Sequence, residues 1–144
     1  MIKLLKKFFK TDEPSEKEAI ADINLACAIL LIEVSYSDFK IDDEEINSII
    51  NLFESELKLS EEKAKWLSKE ALNIHKDVNC LRKYIKLINE NYTKMQKRNL
   101  INMAWLVARA DNILDKNEEH RIRKLTELLH LDHKDFIKSK ISTE

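Results

Sequence analysis

Apolar residues recur at three- and four-residue intervals in seven blocks along the chain, most of them opened by a residue able to cap a helix. Ser15 with Glu18 introduces a block carrying Ala19, Ile20, Ile23, Cys27, Leu30, Leu31 and Val34 on one face. Asp42 with Glu45 introduces a second, with Ile46, Ile49, Ile50, Phe53 and Leu57 directed inward. Ser60 precedes Ala64, Leu67, Ala71 and Ile74, and Asp77 precedes Leu81, Ile85 and Ile88. Thr93 with Gln96 leads into Ala104, Trp105, Val107 and Ala108, and Asp115 with Glu118 into Ile122, Leu125, Leu128 and Leu129. Asp132 with Asp135 opens a last short block holding Phe136 and Ile137. The pattern predicts an all-α fold, a compact bundle of about seven helices. Phe53, Trp66, Trp105 and Phe136 are read as core aromatics.

Composition sharpens this picture chiefly through one absence. The 144 residues include no glycine and a single proline, Pro14. Phosphate-cradling and dinucleotide-binding loops need glycine for close backbone approach, so ordinary NTPase and NAD-enzyme readings fall away. Asn-Gly hairpins are likewise unavailable, which disfavours an all-β fold. A net charge of −1 argues against a dedicated nucleic-acid binder. Cys27 and Cys80 are too isolated for a disulfide framework or a cysteine zinc site, and both are expected to be buried helix residues in a reducing, cytoplasmic setting.

The first ten residues differ from the rest. Ile2, Leu4, Leu5, Phe8 and Phe9 alternate with Lys3, Lys6, Lys7 and Lys10, giving a +4 segment against −5 for the remainder. Such a stretch either lies on an anionic membrane surface, at the inner face of the membrane, or docks on the domain's own core. Residues 1–15 are therefore set apart as a basic amphipathic segment and linker, and residues 16–144 as the helical domain. No run of apolar residues is long enough to span a membrane.

The chain also repeats itself. Val34 to Leu52 align without a gap on Val107 to Leu125, an offset of 73 residues. The shared frame is Asp38-x-x-Ile41-Asp42-x-x-Glu45 and Asp111-x-x-Leu114-Asp115-x-x-Glu118. It predicts two similar helix–turn–helix units, arranged about a pseudo-two-fold axis. Asp42, Glu45, Asp115 and Glu118 fit capping boxes, and that structural role explains those four on its own. Asp38 and Asp111 fall where a helix ends and its dipole disfavours an anion by roughly 0.3–1 kcal/mol. A cation reverses that sign. The carbonyls ending the preceding helix, together with Asp38, Asp42 and Glu45 or Asp111, Asp115 and Glu118, form an all-oxygen set suited to Ca2+ or Mg2+ at modest affinity. The spacing is not that of an EF-hand.

These residues resemble the TerB-like helical domain family, associated with tellurite-resistance operons and found fused to a membrane-anchored DnaJ-type co-chaperone. The resemblance rests on Glu33-Val34 with Asp38-x-x-Ile41-Asp42-x-x-Glu45, and on Trp105 with Val107-Ala108-Arg109-Ala110-Asp111. It is most specific in Asp115-x-x-Glu118-Glu119-His120-x-Ile122-Arg123, Leu128-Leu129 and His133-x-Asp135-Phe136-Ile137. Ile85-x-Leu87-Ile88-Asn89-Glu90 also matches, so the likeness runs from about Ile20 to Lys140. It implies an all-helical fold, no enzymatic activity, and divalent-cation binding at Asp38, Asp42, Glu45, Asp111, Asp115 and Glu118. Departures fall where the family carries glycine: Phe39, Asn112 and His130 stand at those positions. Asn accepts the left-handed conformation more readily than Phe, which favours the second turn as the cation site.

Other candidates point elsewhere. Glu127 with His130 is one Glu-x-x-His pair where a di-iron bundle needs two, so His130 is read as a histidine ending a helix. His120 belongs on a solvated or interhelical face. Three functional readings follow. The first is a non-catalytic cation-binding module acting in stress response or as a scaffold, with an unidentified protein partner. The second is a peripheral membrane adaptor or co-chaperone-associated interaction domain using residues 1–10. The third is a metal-dependent hydrolase built on the paired carboxylates.

Overall fold

The computed structural model describes residues 16–36, 41–77, 81–110 and 116–144, with side chains described from Asp22 onward and omitting that of Asp77. Among these residues the chain forms seven helices: α1 (Glu16–Ser35), α2 (Asp43–Glu56), α3 (Glu61–Asp77), α4 (Arg82–Asn91), α5 (Lys94–Ala108), α6 (Lys116–Leu128) and α7 (His133–Ser142). The expected N-terminal segment, Asp38, Phe39, Cys80 and the turn 111–115 lie outside the described residues.

Capping chemistry sets the helix starts. Thr93 Oγ1 accepts the Gln96 N–H at 3.2 Å while Gln96 Oε1 accepts the Thr93 N–H at 2.8 Å, a complete capping box. Asp132 and Asp135 form another, with the Asp132 N–H on Asp135 Oδ2 at 3.0 Å. Ser60 Oγ accepts the Lys63 N–H at 3.2 Å at the head of α3. The helix ends show what a chain without glycine does instead. His130 adopts φ 60° and Lys58 φ 54°, both in the left-handed region that glycine normally fills. His130 stands at a position expected for glycine, and beyond it the Leu131 N–H returns to Thr126 O at 3.1 Å.

Helix α1 is the centre of the bundle. It packs against α2, α3, α4, α5 and α6. Every residue from Ala26 to Ile32 is buried, at 1 % exposure or less. The single inward face expected for this helix is therefore too narrow, because neighbours surround it and Ala26, Ala28, Ile29 and Ile32 are buried too. Helix α5 contacts α1 and α2, while α1 contacts α5 and α6, so each repeat rests on both helices of the other. Trp105 and Phe136 meet with ring centroids 5.4 Å apart and join α5 to α7.

Three expected core residues are not core. Trp66 is 64 % exposed, Leu128 43 % and Ile137 39 %. Each stands one residue beside its helix's buried face, which is Ala64, Leu67, Ser68 and Ala71 in α3, Ile122, Leu125, Thr126 and Leu129 around α6, and Phe136 and Ser139 in α7. One residue is a rotation of about 100° on a helix of 3.6 residues per turn, enough to carry a side chain out of the core. The buried hydroxyls on those faces are satisfied within their own helices: Ser68 Oγ donates to Ala64 O at 2.9 Å and Thr126 Oγ1 to Ile122 O at 2.8 Å.

Candidate functional site

The duplicated frame places its two glutamates alike. Glu45 is the third residue of α2 and Glu118 the third of α6, and each is 4 % exposed. Asp42 is the N-cap of α2 in extended backbone (φ −73°, ψ 153°), with its N–H on Glu45 Oε1 at 3.4 Å, a loose capping box. Asp42 itself is exposed. Of the six predicted ligands, Asp42, Glu45 and Glu118 are thus described, whereas Asp38, Asp111 and Asp115 lie outside the described residues. Among the described residues no group of three His, Cys, Asp or Glu side chains is placed to hold a metal ion. The side chains of the six predicted ligands offer oxygen only, the chemistry a hard divalent cation takes, and buried carboxylates are costly unless paired or ligating.

Sequence reasoning missed a residue that separates the two turns. Arg121, on α6, donates from Nη1 to Val34 O at 3.5 Å and to Tyr36 O. These are carbonyls at the end of α1, where a cation ligand was expected. A guanidinium on those carbonyls satisfies the end of the helix and opposes a second positive charge there. The arginine at the end of α5 is engaged differently. Arg109, which ends α5, turns its guanidinium to α7, donating to Thr143 Oγ1 at 3.2 Å and Lys140 O at 3.1 Å. The repeat alignment pairs Arg121 with Ser48, so the difference was visible as a charge without a counterpart.

A cleft lies beside the end of α1. It encloses about 450 Å3 between α1, the start of α4 and α6, with Glu33, Arg82, Arg121 and Lys124 among its lining residues. Glu33 Oε2 meets His75 Nε2 at 2.5 Å, and the His75 ring lies 4.8 Å from that of Tyr36. No local sequence signal joins these residues, since the pair is separated by 42 positions. His120 and His130 are both exposed.

Other titrating groups are structural. Burial pushes the Cys27 thiol up to about 12, opposed in part by a hydrogen bond with Tyr92. Hydrogen bonding to Lys140 Nζ, 2.6 Å from Oε1, holds the Glu119 carboxyl below its ordinary value. Burial would raise Asp135, but the Asp132 N–H and the Arg98 guanidinium at 2.9 Å outweigh it and keep it low. Among the described residues no helix is long and apolar enough to cross a membrane.

Fold and turns together define an all-helical module built on a duplicated helix–turn–helix with a buried glutamate opening the second helix of each unit. The chain belongs to the TerB family: the family model for tellurite resistance protein TerB matches residues 24–141, well over half its length. No curated protein and no solved structure matches the chain.

Proposed function

We propose that this TerB-family chain is a non-catalytic module that binds Ca2+ or Mg2+ at its acidic inter-helix turns and acts in a tellurite-type stress response or as a scaffold for a protein partner. The observation that carries the reading is the burial of Glu45 and Glu118. Of the box-type residues at a helix's third position whose side chains are described, Glu45 and Glu118 are buried, whereas Gln96 is exposed and Asp135 only half-buried. A capping box needs no such burial, so capping by itself leaves the repeat's distinguishing feature unexplained. A divalent ion at each turn accounts for it through charge neutralisation.

The second turn is the stronger site in this reading, with Asp111, Asp115 and Glu118 as its ligands. Arg121 already satisfies carbonyls at the end of α1, and its charge weighs against a cation at Asp38, Asp42 and Glu45. Thermal unfolding in millimolar Ca2+ or Mg2+ tests the proposal. A rise in Tm relative to chelator-treated protein supports it; an unchanged Tm with either ion refutes it.

A further inference from the structure

The cleft beside the end of α1 is unexplained by cation binding, because its charge has the opposite sign. Its floor is aliphatic, including Leu30 (1 % exposed), Leu125 (5 %) and Ile85 (8 %), and Leu128 lies half-exposed at its edge. Among the described residues its rim carries Arg82, Arg121 and Lys124 against one acid, Glu33, whose Oε2 is already engaged by His75. Arg82 and Lys124 are exposed and belong to none of the ion pairs formed among the described residues.

The start of α4 adds to this field. Leu81, its N-cap, offers no side-chain hydrogen bond, and the first turn has no acidic residue. It has two cations instead, Arg82 and Lys83, at the positive end of a ten-residue helix where cations are disfavoured. An anion seated at Arg82 and Lys124 relieves both conflicts. The rest of the ligand must match the floor. Among the described residues no aromatic ring lines the cleft to stack a base, and a volume of about 450 Å3 suits one small molecule rather than a helix spanning several anchors.

We propose that this cleft binds a single-chain carboxylate amphiphile of the fatty-acid type, its head group held by Arg82 and Lys124 and its alkyl chain laid against Leu30, Ile85 and Leu125. The ligand and the cation then occupy separate places, since the amphiphile draws on neither acidic turn.

Titration of the full chain with decanoate below its micellar concentration, followed by amide chemical-shift mapping and calorimetry, tests this. Decanoate is expected to bind saturably with shifts centred on Leu30, Ile85 and Leu125. The Arg82→Glu, Lys124→Glu double variant, altered at two exposed positions, is expected to keep its circular dichroism and lose at least tenfold in affinity. Decyltrimethylammonium is expected not to bind there. Shifts centred elsewhere, equal binding of the cationic amphiphile, or undiminished binding by the double variant would overturn the proposal. So would a preference for decyl phosphate with no decanoate binding, or for an acidic amphipathic peptide with none, each of which assigns the cleft to another ligand.

Discussion

Glu45 and Glu118 lie 73 positions apart, each the third residue of its helix and each 4 % exposed. Their equivalence links the sequence repeat to a shared physical constraint, because a carboxylate at that depth must be neutralised or ligated. The two environments are nevertheless unequal. Arg121 bonds carbonyls at the end of α1, while Arg109, at the end of α5, bonds Lys140 O and Thr143 Oγ1 at the end of α7.

The left-handed His130 should be a source of strain. Replacing it with glycine, which accepts φ 60° without a Cβ penalty, is expected to stabilise the fold by about 1 kcal/mol. His130→Val, β-branched at the same angle, is expected to lose stability. Urea unfolding of both variants checks the pair. A neutral or destabilising His130→Gly would show that the imidazole contributes more than its backbone costs.

Ser139 bridges α5 and α7 by accepting the Trp105 indole N–H at 2.9 Å while donating to Phe136 O at 2.8 Å. Trp105 is fully buried and Ser139 is 6 % exposed. Ser139→Ala should therefore strand a buried donor and cost about 1–3 kcal/mol. Ser139→Thr, which retains the hydroxyl, should cost less if the added methyl is accommodated. Equal losses for the two would mean that packing rather than the hydrogen bond sets the effect.

Acid sensitivity follows from Asp135 and Glu119, both held below their ordinary values of 3.8 and 4.5. The unfolded chain takes up these protons first as pH falls, so the groups contribute stability above those values and lose it as pH drops through the lower folded ones. Tm is expected to be flat from pH 7 to about 5 and to fall below about 4. Asp135→Asn should begin less stable and fall less steeply. A variant with the parental slope would remove Asp135 from the acid response.

Cys27 should be chemically silent. The thiol is 1 % exposed and its pKa is pushed up to about 12 by burial. In a Cys80→Ser background, an aromatic disulfide reagent at pH 8 is expected to react with Cys27 no faster than the protein unfolds. Rapid labelling under native conditions would contradict the packed centre of α1.

Much of this fold was legible because helix starts are local. Asp42, Ser60, Thr93 and Asp132 each mark the residue before a helix, and the repeat was visible as a string of identical spacings. Trp66 was misread because its size suggested a core residue while its position did not: it sits one residue off the face made by Ala64 and Leu67. Leu128 and Ile137 failed for the same reason. The repeat showed Arg121 only as a charge without a counterpart, not its partners, and the Glu33–His75 pair had no sequence signal, since these contacts join α6 to the end of α1, and α3 to α1, across separations that no periodicity reports.

Calorimetric titration with Ca2+ measures the central claim most directly. The intact chain is expected to bind with Kd on the order of 10⁻⁴–10⁻³ M. The heat should disappear in Asp111→Asn with Asp115→Asn and largely persist in Asp38→Asn with Asp42→Asn. No heat with Ca2+ or Mg2+ at millimolar concentration, or a titration unchanged by the Asp111 and Asp115 substitutions, would contradict it.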